Sequence, residues 1–151
     1  MKKLVIIGKG PAGISAALYA VRGGLDVTIV AKDGGALQKA DKIDNYYGFD
    51  GGISARKLLE DGENQARTLG VQFVTDEVVG VEFAESGFAV KTLSKDLEAN
   101  AVVLACGTSR NVPPIENIEK FEGRGVSYCA ICDGFFFRKK KVGVKIGRAH
   151  V

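Results

Sequence analysis

Two cysteines and an aspartate stand close together in the second half of the chain, in a pattern that can carry out redox chemistry. Cys129 and Cys132 are separated by two residues, and Asp133 follows directly. Two thiols at this spacing can close a small disulfide ring, and a neighbouring carboxylic acid can move protons while thiolates form and react. The pattern therefore predicts a redox-active disulfide with Cys129, Cys132 and Asp133 as catalytic residues.

Two other interpretations of the cysteine pair stay open. A structural zinc site needs four ligands, and the remaining candidates are Cys106 and His150. The pair could also consist of two inert, buried thiols. The chain has 3 cysteines, too few for a disulfide scaffold. In an intracellular protein, the Cys-x-x-Cys spacing indicates redox chemistry or half of a metal site.

A glycine-rich segment near the start of the chain is typical of a nucleotide-binding turn. Residues 8–13 read Gly-Lys-Gly-Pro-Ala-Gly, between a predicted buried strand at 4–7 and a predicted helix at 14–21. A second predicted strand at 26–30 completes a βαβ unit. This order of strand, glycine turn and helix is the context that the motif requires.

Each glycine of the segment has a separate expected role. Gly8 makes the tight turn, Gly10 lets the backbone approach a pyrophosphate, and Gly13 lets the helix pack close to the strand. The free amides at the start of the helix then meet the phosphate charge. A glycine-rich turn without any ligand is the alternative.

The end of the second strand departs from this motif. An acidic residue is expected there to hold the ribose hydroxyls of a dinucleotide. The sequence has Ala31 and Lys32 in that place, and Asp33 follows one or two positions late. The ribose contact is therefore not predicted by the sequence.

Turn residues and apolar periodicity divide the rest of the chain into a predicted loop, a predicted helix and several predicted strands. The loop covers 34–52, the helix 54–69, and the strands 71–74, 78–83, 88–93, 97–105 and 141–144.

Composition excludes several classes of protein. Of the 151 residues, 46% are hydrophobic and 26% are charged, which is near the globular average. The formal net charge of +3 is too small to indicate nucleic-acid binding. We see no run of the roughly 20 apolar residues that a membrane span needs, and no secretory leader, so a cytoplasmic location is expected.

The sequence resembles the low-molecular-weight thioredoxin reductases, which are bacterial flavoprotein pyridine nucleotide-disulfide oxidoreductases. The resemblance covers residues 3–144. The segments that carry it are 8–13 with 16–20, Asn-Tyr-Tyr-Gly-Phe at 45–49, Leu-Ala-Cys-Gly-Thr at 104–108, Gly-Val-Ser-Tyr at 125–128, and 129–136.

The resemblance implies an α/β fold. It is a Rossmann-like FAD-binding domain with a small antiparallel β-meander, truncated at the start of a second nucleotide-binding domain. The FAD-binding part is expected at 1–112, and the hinge (near 111–114) and the start of the second domain at 113–144. Residues 145–151 match a translated sequencing adapter and are expected to be a non-native tail.

The resemblance also implies the roles of single residues. Cys132 faces the flavin, Cys129 attacks the disulfide of the partner, and Asp133 is the acid/base; no metal is implied. The residues implied for FAD are Gly8, Gly10, Pro11, Ala12 and Gly13, with Asn45 near the isoalloxazine, Val78 near the adenine, and Ala105 and Gly107 on the pyrophosphate side. Cys106 stands where the family usually has threonine, and we expect it to be a buried small residue.

The implied activity is that of a thioredoxin-disulfide reductase. Electrons pass from NADPH through FAD to Cys129–Cys132 and on to thioredoxin, in a homodimer. The NADPH site is expected to be missing from this chain, which alone would bind FAD weakly and be inactive. Two alternatives remain: a divergent reductase that uses ferredoxin or another redox partner, and a flavin- or dinucleotide-binding module whose thiols are structural or regulatory.

Overall fold

The computed structural model describes residues 1–108, 112–122 and 124–144, and of Cys132 only the backbone. The chain divides into two compact units, Met1–Ser109 and Arg110–Val151. The predicted hinge begins at Asn111, outside the described residues, and the predicted tail at 145–151 lies wholly outside them.

The first unit alternates strands and helices before it turns to strands alone. Its elements are β1 (Lys3–Ile7), α1 (Pro11–Arg22), β2 (Asp26–Val30), a 3-10 helix (Gly35–Lys39), β3 (Lys42–Ile43), β4 (Ile53–Ser54), α2 (Ala55–Thr68), β5 (Gln72–Val74), β6 (Val78–Ala84), β7 (Gly87–Thr92), β8 (Asp96–Ala99) and β9 (Ala101–Leu104). The described residues of the second unit form two 3-10 helices (Ile118–Phe121 and Gly134–Phe137) and α3 (Ala130–Asp133).

A parallel sheet with strand order β5-β2-β1-β9 forms the centre of the first unit. Ile6 of β1 pairs with Ile29 of β2 on one side and with Val103 of β9 on the other. Helix α1 connects β1 to the parallel strand β2. The predicted βαβ unit and the predicted α/β, Rossmann-like fold are thus confirmed, and the short apolar runs are strands buried on both faces.

One face of this sheet is covered by α1 and α2. The core there includes Ile6 and Ile29, both fully buried, and Ile14 of α1. Gly62 of α2 faces Ile14, where a β-carbon would stand 3.3 Å from Ile14 Cγ2. Gly62 therefore lets the two helices approach closely, although glycine has a low helix propensity.

The other face of the parallel sheet is covered by the antiparallel sheet β6-β7-β8, which is the predicted meander. Val5 and Val30 of the parallel sheet pack against Val90 and Ala99. Lys91 lies on the opposite side of the meander, where it pairs with Asp96 at 2.7 Å. The meander thus has one apolar and one charged face.

Helix α1 has clear start and stop signals. Gly10 is its N-cap, and Pro11 occupies the first helical position, where its fixed φ suits a helix and its missing N–H costs nothing. At the other end, Gly24 has φ +80°. The helix ends there because glycine accepts this left-handed conformation readily.

Three predicted segments differ from the structure. The strand predicted at 97–105 is two strands, β8 and β9, which belong to different sheets and meet at Asn100. The predicted strand at 141–144 is wrong, because these residues form no strand and pair with no strand of the described chain. The loop predicted at 34–52 contains a 3-10 helix and the two-residue strand β3, which pairs with β4.

Among the residues that the structure describes, no helix is both long enough and apolar enough to cross a bilayer.

Candidate functional site

A cleft of about 240 Å³ lies at the carboxyl ends of β1, β2 and β9. The carboxyl ends of parallel strands meet at one edge of a sheet, and that edge is where open α/β sheets bind ligands. The cleft is lined by five of the residues predicted for the cofactor, which are Gly8, Gly10, Val78, Ala105 and Gly107.

Gly8 and Gly13 allow the glycine turn to pack tightly on itself and against Ala105, the residue that follows β9. Gly8 has φ +111°, and a β-carbon there would stand 2.3 Å from the carbonyl oxygen of Ala105. At Gly13 a β-carbon would stand 2.0 Å from the carbonyl oxygen of Gly8. Both positions are closed to any side chain, so these two glycines build the turn itself.

Gly10 differs from these two glycines because the space in front of it is open. Its φ of −69° and ψ of 179° are accessible to any residue. Apart from its neighbours in the chain, no heavy atom lies within 4 Å of the place where a β-carbon would stand. The first-turn amides of a helix have no acceptor within the helix. The open space at Gly10 and the start of α1 together fit an anionic phosphate group.

Lys9 connects the glycine turn to α2. Its Nζ lies 2.6 Å from Glu63 Oε1, and the two side chains are 25% and 21% exposed. The pair is separated by 54 residues in sequence. It therefore holds the turn against α2 and places a cation beside the cleft.

The end of β2 is held by a basic residue. Lys32 Nζ lies 2.9 Å from Glu77 Oε1, and the hydrogen bond and charge of Glu77 raise the pKa of Lys32. Asp33, the late acid, accepts a hydrogen bond from the backbone N–H of Gly35 at 2.8 Å. Both Lys32 and Asp33 line the cleft. The residues that differ from the expected motif at the end of β2 therefore form part of the cleft wall.

Asp76 fixes the meander to the cleft wall that it lines. Its carboxylate accepts hydrogen bonds from the hydroxyl of Ser94 and, at 2.7 Å, from the hydroxyl of Thr92. These bonds, first that of Ser94 and then that of Thr92, lower the pKa of Asp76 to about 2. The carboxylate therefore holds the turn between β7 and β8 beside the start of β6, where Val78 lies.

The other predicted cofactor residues have different positions. Pro11 and Ala12 form the first turn of α1. Asn45 is exposed in the segment between β3 and β4 and does not belong to the lining of this cleft.

Cys106 is exposed, so the prediction that it is a buried small residue is wrong. It is a free cysteine and lines the cleft. Its Sγ lies 3.8 Å from the carbonyl oxygen of Ile7. The reason is its position: β9 ends at Leu104, and Cys106 lies two residues beyond the end of the strand.

The second unit holds the predicted redox residues. Cys129 is disulfide-bonded. The backbone N–H of Asp133 donates to the carbonyl of Cys129 at 3.0 Å, which closes one helical turn. Cys132 belongs to the same short helix α3, but its side chain lies outside the described part of the chain. His150, a candidate for the zinc alternative, also lies outside it.

Ser127 is a functional candidate that the sequence did not single out. Its hydroxyl lies 2.6 Å from Asp133 Oδ2, and it also accepts a hydrogen bond from the N–H of Cys129 at 3.1 Å. A serine hydroxyl often accepts from the N–H two residues later in a turn, so the bond with Cys129 has a local sequence signal. The bond to Asp133, six positions later, has none. Lys9–Glu63 and Asp76–Ser94 had no sequence signal because they join distant segments.

The chain matches the family model described as pyridine nucleotide-disulphide oxidoreductase over residues 2–150. It is 38% identical to a thioredoxin reductase of Rickettsia bellii over 143 residues, which are 93% of this chain and 46% of the relative. It is 39% identical to a bifunctional thioredoxin reductase/thioredoxin of Mycobacterium leprae over 145 residues, which are 94% of this chain and 32% of the relative. The chain thus spans about half the length, or less, of these relatives.

The solved structures that match the chain include thioredoxin reductases as well. An atypical thioredoxin reductase from Desulfovibrio vulgaris Hildenborough matches with 42% identity and a TM-score of 0.68, over 91% of this chain and 47% of that one. A thioredoxin reductase from Streptococcus pyogenes matches with 37% identity and a TM-score of 0.81, over 89% and 44%.

Proposed function

Because the chain belongs to the pyridine nucleotide-disulphide oxidoreductase family, we propose that the protein is a flavin-dependent disulfide reductase of the thioredoxin reductase type. The overall reaction moves two electrons from NADPH to a disulfide of thioredoxin, with FAD as the bound cofactor and Cys129–Cys132 as the protein's own disulfide. The similarity to thioredoxin reductases over more than nine-tenths of the chain supports this proposal.

The observation that carries the proposal is the disulfide-bonded Cys129, held one helical turn from Asp133. Residues four apart on a helical turn are neighbours, about 5–6 Å between their β-carbons. A carboxyl group at this place can give a proton to a thiolate or take one from a thiol. A disulfide that serves only as a structural brace has no need of it.

The cleft in the first unit supports FAD as the cofactor. In the proposal, the diphosphate lies at Gly10, Pro11, Ala12 and Gly13, on a turn that Gly8 shapes. The adenine lies near Val78, with Ala105 and Gly107 on the pyrophosphate side and Asn45 near the isoalloxazine. The fit is supported by the open space at Gly10, because a phosphate needs room that a side chain would fill. When bound, FAD supplies the two-electron chemistry that links a hydride donor to a disulfide.

The residues of the second unit carry out the exchange chemistry. Cys132 receives electrons on the cofactor side, and Cys129 is the thiol that attacks the disulfide of thioredoxin. In that attack the Cys129 thiolate forms a mixed disulfide and one thioredoxin sulfur leaves. Cys132 then attacks Cys129, which restores the protein disulfide and releases reduced thioredoxin. Asp133 supplies and accepts the protons that accompany these steps.

The roles of the two thiols can be tested in the present chain. In a Cys106→Ser background, Cys132→Ser leaves Cys129 as the thiol, and Cys129→Ser leaves Cys132. Each variant is mixed with thioredoxin carrying a thionitrobenzoate mixed disulfide, and release of the coloured anion is followed. We expect the variant that keeps Cys129 to react about tenfold faster, because it attacks the partner. Equal or reversed rates would refute the assignment.

We also propose a homodimer and a cytoplasmic location, as the resemblance implies. Light scattering of the purified protein and fractionation of its source cells test these two points.

A further inference from the structure

The hydroxyl of Ser127 has contacts in three directions. It lies 2.6 Å from Asp133 Oδ2 and 3.3 Å from the carbonyl oxygen of Cys129, and it accepts from the backbone N–H of Cys129 at 3.1 Å. A serine hydroxyl has one hydrogen to donate and two lone pairs. Only one of the two oxygens can therefore receive its proton at a time.

The distances decide which oxygen receives that proton. A length of 2.6 Å is typical of a hydroxyl that donates to a charged carboxylate, whereas 3.3 Å is longer than an ordinary O–H···O bond. The carbonyl of Cys129 already accepts from the N–H of Asp133 at 3.0 Å. The hydroxyl of Ser127 thus donates to Asp133 and accepts from Cys129.

These contacts join the three residues into a closed ring. Ser127 is fixed to the backbone of Cys129, Asp133 is fixed to the same backbone through its N–H, and the Ser127 hydroxyl then restrains the Asp133 carboxylate. The carboxylate is only partly buried, so without the hydroxyl it could rotate toward water. The ring keeps it on the side of the turn where Cys129 lies.

We propose that Ser127 is a positioning residue for disulfide exchange, which holds the Asp133 carboxyl group beside Cys129. This inference rests on the proposed function, because it assigns Ser127 to the proton transfer by Asp133. It predicts that Ser127 acts through Asp133 and that a hydroxyl, rather than serine itself, is what the site needs.

The test reaction is reduction of the Cys129 disulfide in the chain by dithiothreitol. A dithiothreitol thiolate attacks one protein sulfur, and the S–S bond breaks as a mixed disulfide forms. The other protein sulfur leaves as a thiolate and takes a proton. The second dithiothreitol thiol then closes the oxidised ring and releases the first protein sulfur as a thiol. Two electrons and two protons thus pass from the dithiol to the protein.

The rates are measured near neutral pH by quenching with an alkylating reagent and mass spectrometry of the peptide. We expect Asp133→Asn to slow reduction about 100-fold. Ser127→Ala should slow it about tenfold, because the Asp133 carboxyl group loses the hydrogen bond that holds it in place. Ser127→Thr, which keeps the hydroxyl, should stay within about twofold of the unmodified chain, and Ser127→Ala with Asp133→Asn should match Asp133→Asn alone.

Tyr128→Phe is the matched control. It removes a neighbouring hydroxyl that donates to the Glu122 carboxylate at 2.8 Å, which is a similar bond to a carboxylate other than Asp133. Its rate should be unchanged, and thermal unfolding of all variants checks that they fold.

Three results would overturn the inference alone, provided Asp133→Asn slows the reaction. These are an unchanged rate in Ser127→Ala, no rescue by Ser127→Thr, and multiplied effects in the double variant. An unchanged rate in Asp133→Asn would overturn both the inference and the acid/base role in the proposed function.

Discussion

Replacement of Gly10 by alanine should weaken FAD binding without unfolding the protein. A β-carbon at Gly10 would point into open space, and the residue already has an extended backbone that alanine adopts. The effect on the free energy of unfolding should be about 1 kcal/mol or less, because alanine is a poorer N-cap but restricts the unfolded chain. Binding is different, because the methyl group would occupy the space that a phosphate needs.

The size of the binding defect follows from the bonds that would be lost. A diphosphate shifted away from the start of α1 would lose at least one hydrogen bond to a charged group, which costs about 1.5–3 kcal/mol. This corresponds to a roughly 10- to 150-fold higher Kd for FAD. Equilibrium dialysis or the fluorescence anisotropy of FAD, titrated with the chain, measures this change directly.

Gly80→Ala is the matched control for this prediction. Gly80 lies in β6, outside the lining of the cleft, and a β-carbon there would stand 3.8 Å from Lys91 Cβ, an ordinary contact. Its Kd and its unfolding temperature should both stay close to those of the unmodified chain. If Gly10→Ala binds FAD as tightly as Gly80→Ala does, the phosphate does not lie at the glycine turn and the reasoning is wrong.

Three further predictions concern the same unit. Gly8→Ala should cost about 2–4 kcal/mol of stability in urea unfolding, because its β-carbon would overlap the Ala105 carbonyl at a left-handed φ. The pKa of Asp76 is lowered to about 2 from 3.8, so its contribution to stability is present above pH 3.8 and is lost as the pH falls through about 2. Asp76→Asn should therefore reduce the slope of the free energy of unfolding against pH in this range. Cys106 lines the cleft, so saturating FAD should slow its alkylation, as measured by mass spectrometry.

Each of these predictions has a clear contrary result. Unchanged urea unfolding in Gly8→Ala would contradict the close contact with the Ala105 carbonyl. If the free energy of unfolding of Asp76→Asn has the same slope against pH as the unmodified chain between about pH 2 and 4, the hydroxyl bonds of Ser94 and Thr92 do not persist in solution. Equal alkylation of Cys106 with and without FAD, at concentrations where dialysis shows binding, would place the cofactor elsewhere.

Local sequence signals predicted the start of the fold well. The buried run before Gly8 and the glycines that end α1 each have a local physical cause, and β2 was predicted with its observed bounds. Helix α1, however, begins at Pro11, three residues earlier than predicted. Ser54 also caps α2 as a residue of its type should, accepting from the N–H of Lys57.

The remaining elements depend on hydrogen bonds between strands and on contacts between distant segments, which local sequence does not show. Nothing in the apolar pattern of 97–105 marks Asn100 as the point where the backbone changes sheets, because both sheets accept the same residue types. Residues 141–144 have the composition of a strand, but a strand also needs a hydrogen-bonding neighbour. In the site, Lys9–Glu63 and Ser94–Asp76 join segments far apart in sequence, so only the folded chain shows them.

Asn100 joins the two layers of the first unit without a loop between them. Its N–H donates to the carbonyl of Lys3 at 2.9 Å, and its side-chain oxygen accepts from the N–H of Lys3 at 2.8 Å. One continuous stretch of backbone therefore belongs to both sheets. Local unfolding of β8 should disturb β9, and local unfolding of β9 should disturb β8. The amide hydrogens of β8 and β9 should exchange with deuterated solvent in a single concerted opening, as one cooperative folding unit.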